Sequence, residues 1–472
     1  MGSLTDILNI ARSALAANQQ AMQVLGHNIA NAGTRGYSAQ KVNFTSNSPL
    51  RTSQGIFGRG VNSQSIIRAE DKFLTQRILF ESQSLGKWTA IKRAVSEIEL
   101  SFSDPGENDL SAAITNFFNA LEELSINPEN IASRTNLVQR AEFMVSKFNS
   151  IAELLVTSQI NIDREIRSVA RQVNDLSAGI ANINELITIS EASGDMSNDL
   201  RDKRDVMLAD LADLVSIRVT EKESGGVIVS LDGNLIVDGN IKRELVLTQK
   251  ASGDRSITNI TVKGSSNTIK FEGGRLGGLL EARDDYVGSY RSKLDLMAKD
   301  LSNKVNEIHS KGFDLDGNTG INFFKSNIES ARDMALSSDV KSDVRKIAAA
   351  GGYDSNSDGT IDLSNGPGDN SVIRSIAGLR NSVIDSKGKS TIYDYYGDLL
   401  GALAFDSKRA EDMQDIQKAL LNQLINMKES KVGVSLDEEL AKMIIYQNNY
   451  IAATRIINTI EKMLKSVLEM AG

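Results

Sequence analysis

The chain has 472 residues with 53 Lys plus Arg against 61 Asp plus Glu, a net charge of -8, so a basic nucleic-acid surface is not expected. It lacks cysteine and carries two histidines, His27 and His309, which excludes disulfides and thiolate metal sites and argues against a histidine-based metal centre or general base. That length exceeds one compact core, so two to four domains are expected.

Residues 4–32 carry an amphipathic seam of Leu4, Leu8, Ala11, Leu15, Asn18, Met22, Leu25, Ile29 and Ala32. The steps alternate four and three, a mean of about 3.5, the spacing that keeps one stripe facing a partner helix. Ser3 is expected as the N-cap and Gly33 as the left-handed residue after the helix. A turn at Thr34-Arg35-Gly36 leads to an extended stretch at 37–44, then to a Gly-rich hairpin-like segment at 55–61.

Helix is expected over 69–102, with Phe73, Ile78, Leu85, Trp88, Ile91, Val95 and Ile98 near one face and Asp104-Pro105-Gly106 as its breaker. A helix over 110–124 follows. Asn127-Pro128 then reads as cap and first turn of a very long helix reaching about residue 191. Residues 215–273 are rich in Val, Ile, Thr and Gly, with turn pairs at Gly225-Gly226, Asp232-Gly233 and Asp238-Gly239, and predict a small β-rich domain. Helix returns over 277–311. Residues 351–370 are polar and loop-like. A long helix over 393–431 precedes a capping box, Ser435 to Glu438, that opens the last helix.

That last helix repeats the first one's signal, with Met443, Tyr446, Tyr450, Ala453, Ile457, Ile460, Leu464, Val467 and Ala471 as its seam. Paired seams at opposite chain ends predict termini that meet, and point to assembly rather than catalysis. The expected class is mainly α with a small β-rich domain. The expected division is 1–45 with 432–472, 46–214 with 275–431, and 215–274. No stretch reads as a membrane span or a cleaved signal.

Residues 28–37, Asn-Ile-Ala-Asn-Ala-Gly-Thr-Arg-Gly-Tyr, resemble the N-terminal signature of bacterial flagellar rod, hook and hook-associated proteins. That family usually has Asn for Gly33 and Pro for Arg35, so the turn is where this chain departs. Residues 435–468, with Tyr446-Gln447 and Tyr450, resemble the matching C-terminal signature. The internal runs Asn198-Asp199-Leu200-Arg201-Asp202-Lys203-Arg204-Asp205, Asn306-Glu307-Ile308-His309 and residues 419–424 are similar to the hook-associated protein 1 family of the hook–filament junction.

The resemblance implies a structural, non-enzymatic protein without cofactor or metal. It would be exported unfolded by the flagellar type III route and assemble with itself as a ring or helical assembly, with hook protein and with hook-associated protein 3. The implied assembly residues are Leu4, Leu8, Leu15, Met22, Leu25, Asn28, Ile29, Asn31, Gly36 and Tyr37, with Met443, Tyr446, Gln447, Tyr450, Ile457, Ile460, Leu464 and Val467. An export chaperone is implied at Met443, Tyr446, Tyr450, Ile457, Ile460 and Leu464. Neither nucleic acid nor membrane is implied as a partner.

The alternatives are another axial protein, hook or distal rod, and a calcium-dependent adhesin. The adhesin rests on Asp354-Ser355-Asn356-Ser357-Asp358-Gly359, which matches the start of an EF-hand loop. That loop lacks its bidentate Glu, since Asn365 holds the twelfth place, and it reads better as a solvated loop.

Overall fold

The computed structural model describes residues 2–52, 55–102, 109–194, 196–252, 255–265, 269–355, 361, 363–385 and 388–471. In chain order the elements are α1 (Gly2–Asn31), β1 (Gln40–Ser46), β2 (Leu50–Thr52), β3 (Gly55–Phe57), β4 (Val61–Arg68), α2 (Lys72–Phe102), α3 (Leu110–Ile126), α4 (Ile131–Ser190) and α5 (Asn198–Leu214). The strands β5 (Arg218–Glu221), β6 (Val227–Leu231), β7 (Asn234–Asp238), β8 (Ile241–Lys242), β9 (Leu245–Ser252) and β10 (Arg255–Val262) follow. Then come α6 (Gly274–Glu281), α7 (Gly288–His309), α8 (Ser338–Ser342), β11 (Gly352–Tyr353), β12 (Leu363–Ser364), α9 (Ser371–Ala377), α10 (Ile392–Val432) and α11 (Leu436–Ala471). The chain is mainly α with a small β-rich stretch, as its sequence predicts.

Contacts divide the chain into two units: Met1–Lys87 with Ser168–Gly277 and Asp415–Gly472, and Trp88–Arg167 with Gly278–Gln414.

In the first unit, α1 and α11 pair antiparallel. Gln19 Nε2 donates to the Tyr450 hydroxyl at 3.5 Å, and Asn28 Nδ2 donates to Glu439 Oε2 at 2.7 Å. The strands β1 and β4 pair antiparallel along α1, and β2 pairs with β3 beyond them. The strands β5 to β8 form one antiparallel sheet, and β9 pairs with β10. The β6–β7 turn is Asp232-Gly233 with φ of 46° and 76°, positive at both central residues as a type I′ hairpin requires. Asn184 of α4 is fully buried and grips the sheet. Its Nδ2 donates to the Val227 and Gly239 carbonyls, and its Oδ1 accepts from Val227 N. Leu420, Leu421 and Leu424 of α10 pack on Leu74 and Ile78 of α2.

The second unit is built around Phe117, Phe118, Phe148, Phe323 and Phe324, all fully buried. Arg134 is buried with them. Its Nε donates to the Pro128 carbonyl and its Nη1 to that of Ile347, both at 2.7 Å, and burial lowers its pKa to about 10. Asn306 clamps Phe324 by donating to its carbonyl and accepting from its N–H.

His309 is a structural residue. Ala348 N donates to Nε2 at 2.9 Å, and Nδ1 lies 2.7 Å from the Ile321 carbonyl, so the neutral ring donates from Nδ1 and accepts at Nε2. Burial pulls its pKa down to about 4. In the unfolded chain it titrates near 6.5, so the unfolded state takes the proton first. Its contribution is complete above about pH 6.5 and lost as pH falls to about 4, a loss of about 3 kcal/mol. An NMR titration of the two imidazoles, assigned with His27→Gln, should give a midpoint near 4 for His309. A midpoint near 6.5 would mean that the ring is solvated.

Several boundaries differ from expectation. Ser3 lies inside α1, which is already helical at Gly2, so it is not the N-cap. The left-handed residue after α1 is Gly36, with φ of 80°, rather than Gly33. Phe73 is exposed, because α2 turns its Leu74 side inward. Asn127 closes α3, and Asn130 caps α4 by accepting from Ala132 and Ser133 N. The helix expected over 277–311 contains a π-helical turn, Ala282–Val287. The Asp104-Pro105-Gly106 breaker and half of the 354–365 loop, residues 356–360 and 362, lie outside the described residues.

Candidate assembly interface

The seam of α1 faces the seam of α11. Leu4, Leu8, Leu15, Met22 and Ile29 are half-buried and Leu25 is buried, opposite half-buried Met443, Tyr446, Tyr450, Ile457, Leu464 and Val467 and buried Ala453 and Ile460. Gln447 is exposed. Phe44 of β1 sits 6.4 Å, ring to ring, from Tyr446. The seam is therefore closed within one chain.

A second stripe on α1 escapes the heptad reading. Ile10, Ser13, Ala17, Val24 and Asn28 face the β1–β4 hairpin, and small side chains let the strands come close. Val61 N donates to Ser13 Oγ at 3.3 Å, and a Cβ on Gly60, where φ is 87°, would strike Ser13 Oγ.

Asn28 is the hub where the chain ends join. Its Oδ1 accepts from Gln40 N at 2.9 Å and the Tyr37 hydroxyl at 2.8 Å. Its Nδ2 donates to the Gln40 carbonyl at 2.8 Å and to Glu439. Every hydrogen-bonding position of a fully buried amide is thus used. Lys442 Nζ donates to the other Glu439 oxygen at 2.9 Å. The Tyr37 hydroxyl also accepts from His27 Nδ1 at 2.9 Å. Burial, then Asp199, Asp202 and Glu439, push the Tyr37 phenol up, so it stays protonated and donating. Asn31 Nδ2 donates to the His27 carbonyl at the end of α1. Ala39 N donates to the Val432 carbonyl at 2.8 Å, tying the end of α10 to the same place.

The internal run 198–205 forms the first two turns of α5 and clasps the N-terminal signature. Asp202 accepts from Ser38 N and Ser38 Oγ, both at 3.0 Å, and from Arg68 Nη1 at 2.8 Å. Arg68 also reaches Asp205 at 2.8 Å. Gly36 lies against Val206, where any Cβ would strike Val206 Cγ2, so its left-handed φ and its close approach both demand glycine. Arg35 meets Asp210 at 2.6 Å on an exposed surface. Arg201 grips Glu191 in bidentate fashion, both bonds 2.7 Å, and this hydrogen bonding raises its own pKa and lowers that of Glu191. Arg204 is buried and donates from Nη1 to the Gly225 carbonyl at 2.6 Å. The two sequence signatures are one structural site. Among the described residues no cluster of His, Cys, Asp and Glu fits a metal ion, and no helix is long and apolar enough to cross a membrane.

Residues 95–324 match the family described as the flagellar hook-associated protein FlgK helical domain. Flagellar hook-associated protein 1 of Bacillus subtilis (strain 168) is 27% identical over 98% of this chain and 98% of its own length. The chain belongs to the flagellar hook-associated protein 1 family. Its Salmonella typhimurium member is 23% identical over 99% of this chain and 100% of its own length. The two ends match descriptions shared with rod proteins: residues 8–37 with flagella basal body rod protein and 430–470 with the FlgEFG C-terminal region. The hook junction protein FlgK of Burkholderia pseudomallei has the same fold, with a TM-score of 0.67 at 15% identity, covering 76% of this chain and all of that one.

Proposed function

We propose that this chain joins hook to filament in the bacterial flagellum and permits filament assembly. As a hook-associated protein it has a structural role, and its place is the flagellum. One observation carries the reading: α1 and α11 pair within a chain, yet α11 still exposes Leu436, Leu440, Ile444, Ile445, Ile451, Ile456, Met463, Leu468 and Met470. A helix apolar on several sides is built to be covered from several sides.

In this reading residues 1–45 with 432–472 are the stacking element, in contact with further copies, hook protein below and hook-associated protein 3 above. The chain would travel unfolded through the flagellar type III route, with a chaperone over the face of Met443, Tyr446, Tyr450, Ile457, Ile460 and Leu464, and would perform no catalysis. Hook or distal rod is disfavoured, because the match over 95–324 is to the hook-associated helical domain whereas the ends match rod descriptions generally.

Cells lacking the chain should complete the basal body and hook and release flagellin into the medium without growing filaments. Loss of the hook would assign the chain to hook or rod. Normal filaments would remove the junction reading.

A further inference from the structure

The β2–β3 hairpin and the first turns of α11 are unlike surfaces at separate places along the terminal helix pair. The β1–β4 ladder runs along α1. Gln40 is held by Asn28, and six residues on, Ser46 pairs with Val61, whose N–H reaches Ser13. Asn28 and Ser13 are fifteen residues apart, roughly 22 Å of helix, and the strand segment between those points spans about the same, roughly 20 Å. The β2–β3 hairpin therefore follows the ladder at its Ser13 end, away from Asn28. The first turns of α11 lie at the other end, where Glu439 meets Asn28. The point where the hairpin springs from the ladder is thus roughly 20 Å from its own Glu439.

The hairpin exposes Leu50, Ile56 and Phe57, with Arg51 and Arg59 beside them, and residues 47–63 contain no acidic residue. The α11 end exposes Leu436, Leu440, Ile444 and Ile451 on one flank and carries Asp437, Glu438 and Glu439 in its first turn. One surface is apolar with arginines, the other apolar with carboxylates. A heterologous, head-to-tail assembly needs two different surfaces that fit each other, present on every copy.

We propose that the β2–β3 hairpin of one copy docks on the Leu436–Leu440–Ile444–Ile451 flank of α11 in a second copy displaced along the helix axis. Phe57 and Ile56 lie on the apolar flank, and Arg51 and Arg59 face Asp437 and Glu438. This rests on the reading that the chain assembles in the flagellar axis.

The natural absence of cysteine makes the test direct. The double variant Phe57→Cys/Ile444→Cys, with Ile56→Cys/Leu440→Cys as a second pair, is expressed in cells lacking the wild-type chain. Isolated flagella are treated with a short bismaleimide. Covalent species at twice the subunit mass and higher multiples are expected from the double variant, with each single variant remaining at one subunit mass. A double variant that supports filaments yet stays at one subunit mass would overturn the docking while leaving the junction reading intact. Self-linking of a single variant, a product containing another axial protein, or an intramolecular link in the dilute free chain would overturn it as well. The junction reading itself fails separately, if cells without the chain still grow filaments.

Discussion

Asp202→Ala should loosen the join between the N-terminal signature and α5, at a cost of about 3 kcal/mol. The carboxylate is nearly buried and accepts three hydrogen bonds, two from Ser38 and one from Arg68. Removing one partner of a buried ion pair costs about 3–5 kcal/mol, because the other charge loses its compensation. Here the lower end applies, since Arg68 keeps Asp205 at 2.8 Å and Glu70 at 3.3 Å. Ser38 keeps nothing, so the loss concentrates on residues 36–40. Hydrogen exchange of the free chain should show faster exchange at Ser38, Ala39 and Gln40 together with a lower urea midpoint. Asp202→Asn, which can still accept from Ser38, should lose roughly half as much. Equal effects would mean that the charge on Arg68, not the hold on Ser38, dominates. No effect from either would mean that α5 does not hold the signature.

Much of this arrangement was legible from periodicity alone. The seam residues of α11 from Met443 to Val467 predicted from their four-three spacing are half-buried or buried, because a stripe of that period can face only one partner. The Asp232-Gly233 turn and the sixty residues of α4 were legible for the same reason, each being a local pattern with a single structural solution. The clasp was not. Nothing in 198–205 says that Asp202 meets Ser38, 164 residues away, or that Asn28 meets Glu439 across 411 residues. Polar residues that end up satisfied over such separations carry no period. The second stripe of α1 was missed because Ser13 and Asn28 are polar and break its apolar run, although the smallness of Ser13 is what admits the hairpin. The caps failed for a different reason. Asn127 and Asn130 offer the same side chain three residues apart, and choosing between them requires knowing where α3 stops.

Adjacent turns of α11 separate pairing within a chain from assembly between chains. Ile460 is 4% exposed in the seam with α1, whereas Ile456 is 46% exposed on the outer flank. Ile460→Asp removes a buried aliphatic side chain, at about 2–5 kcal/mol, and places a carboxylate where nothing pairs with it. The helix pair can escape that cost only by opening, so protease should clip α11 of the free chain far faster than in the wild type, and no filament should grow. Ile456→Asp adds its charge where water already reaches, so the free chain should keep its wild-type protease pattern and melting temperature. It should still stop filament growth, because in the proposed assembly that flank is desolvated against another subunit. If Ile460→Asp leaves α11 as protected as before, the two terminal helices are not paired in the free chain. If Ile456→Asp supports normal filaments, the outer flank of α11 is not an interface, and the apolar residues along it need another explanation.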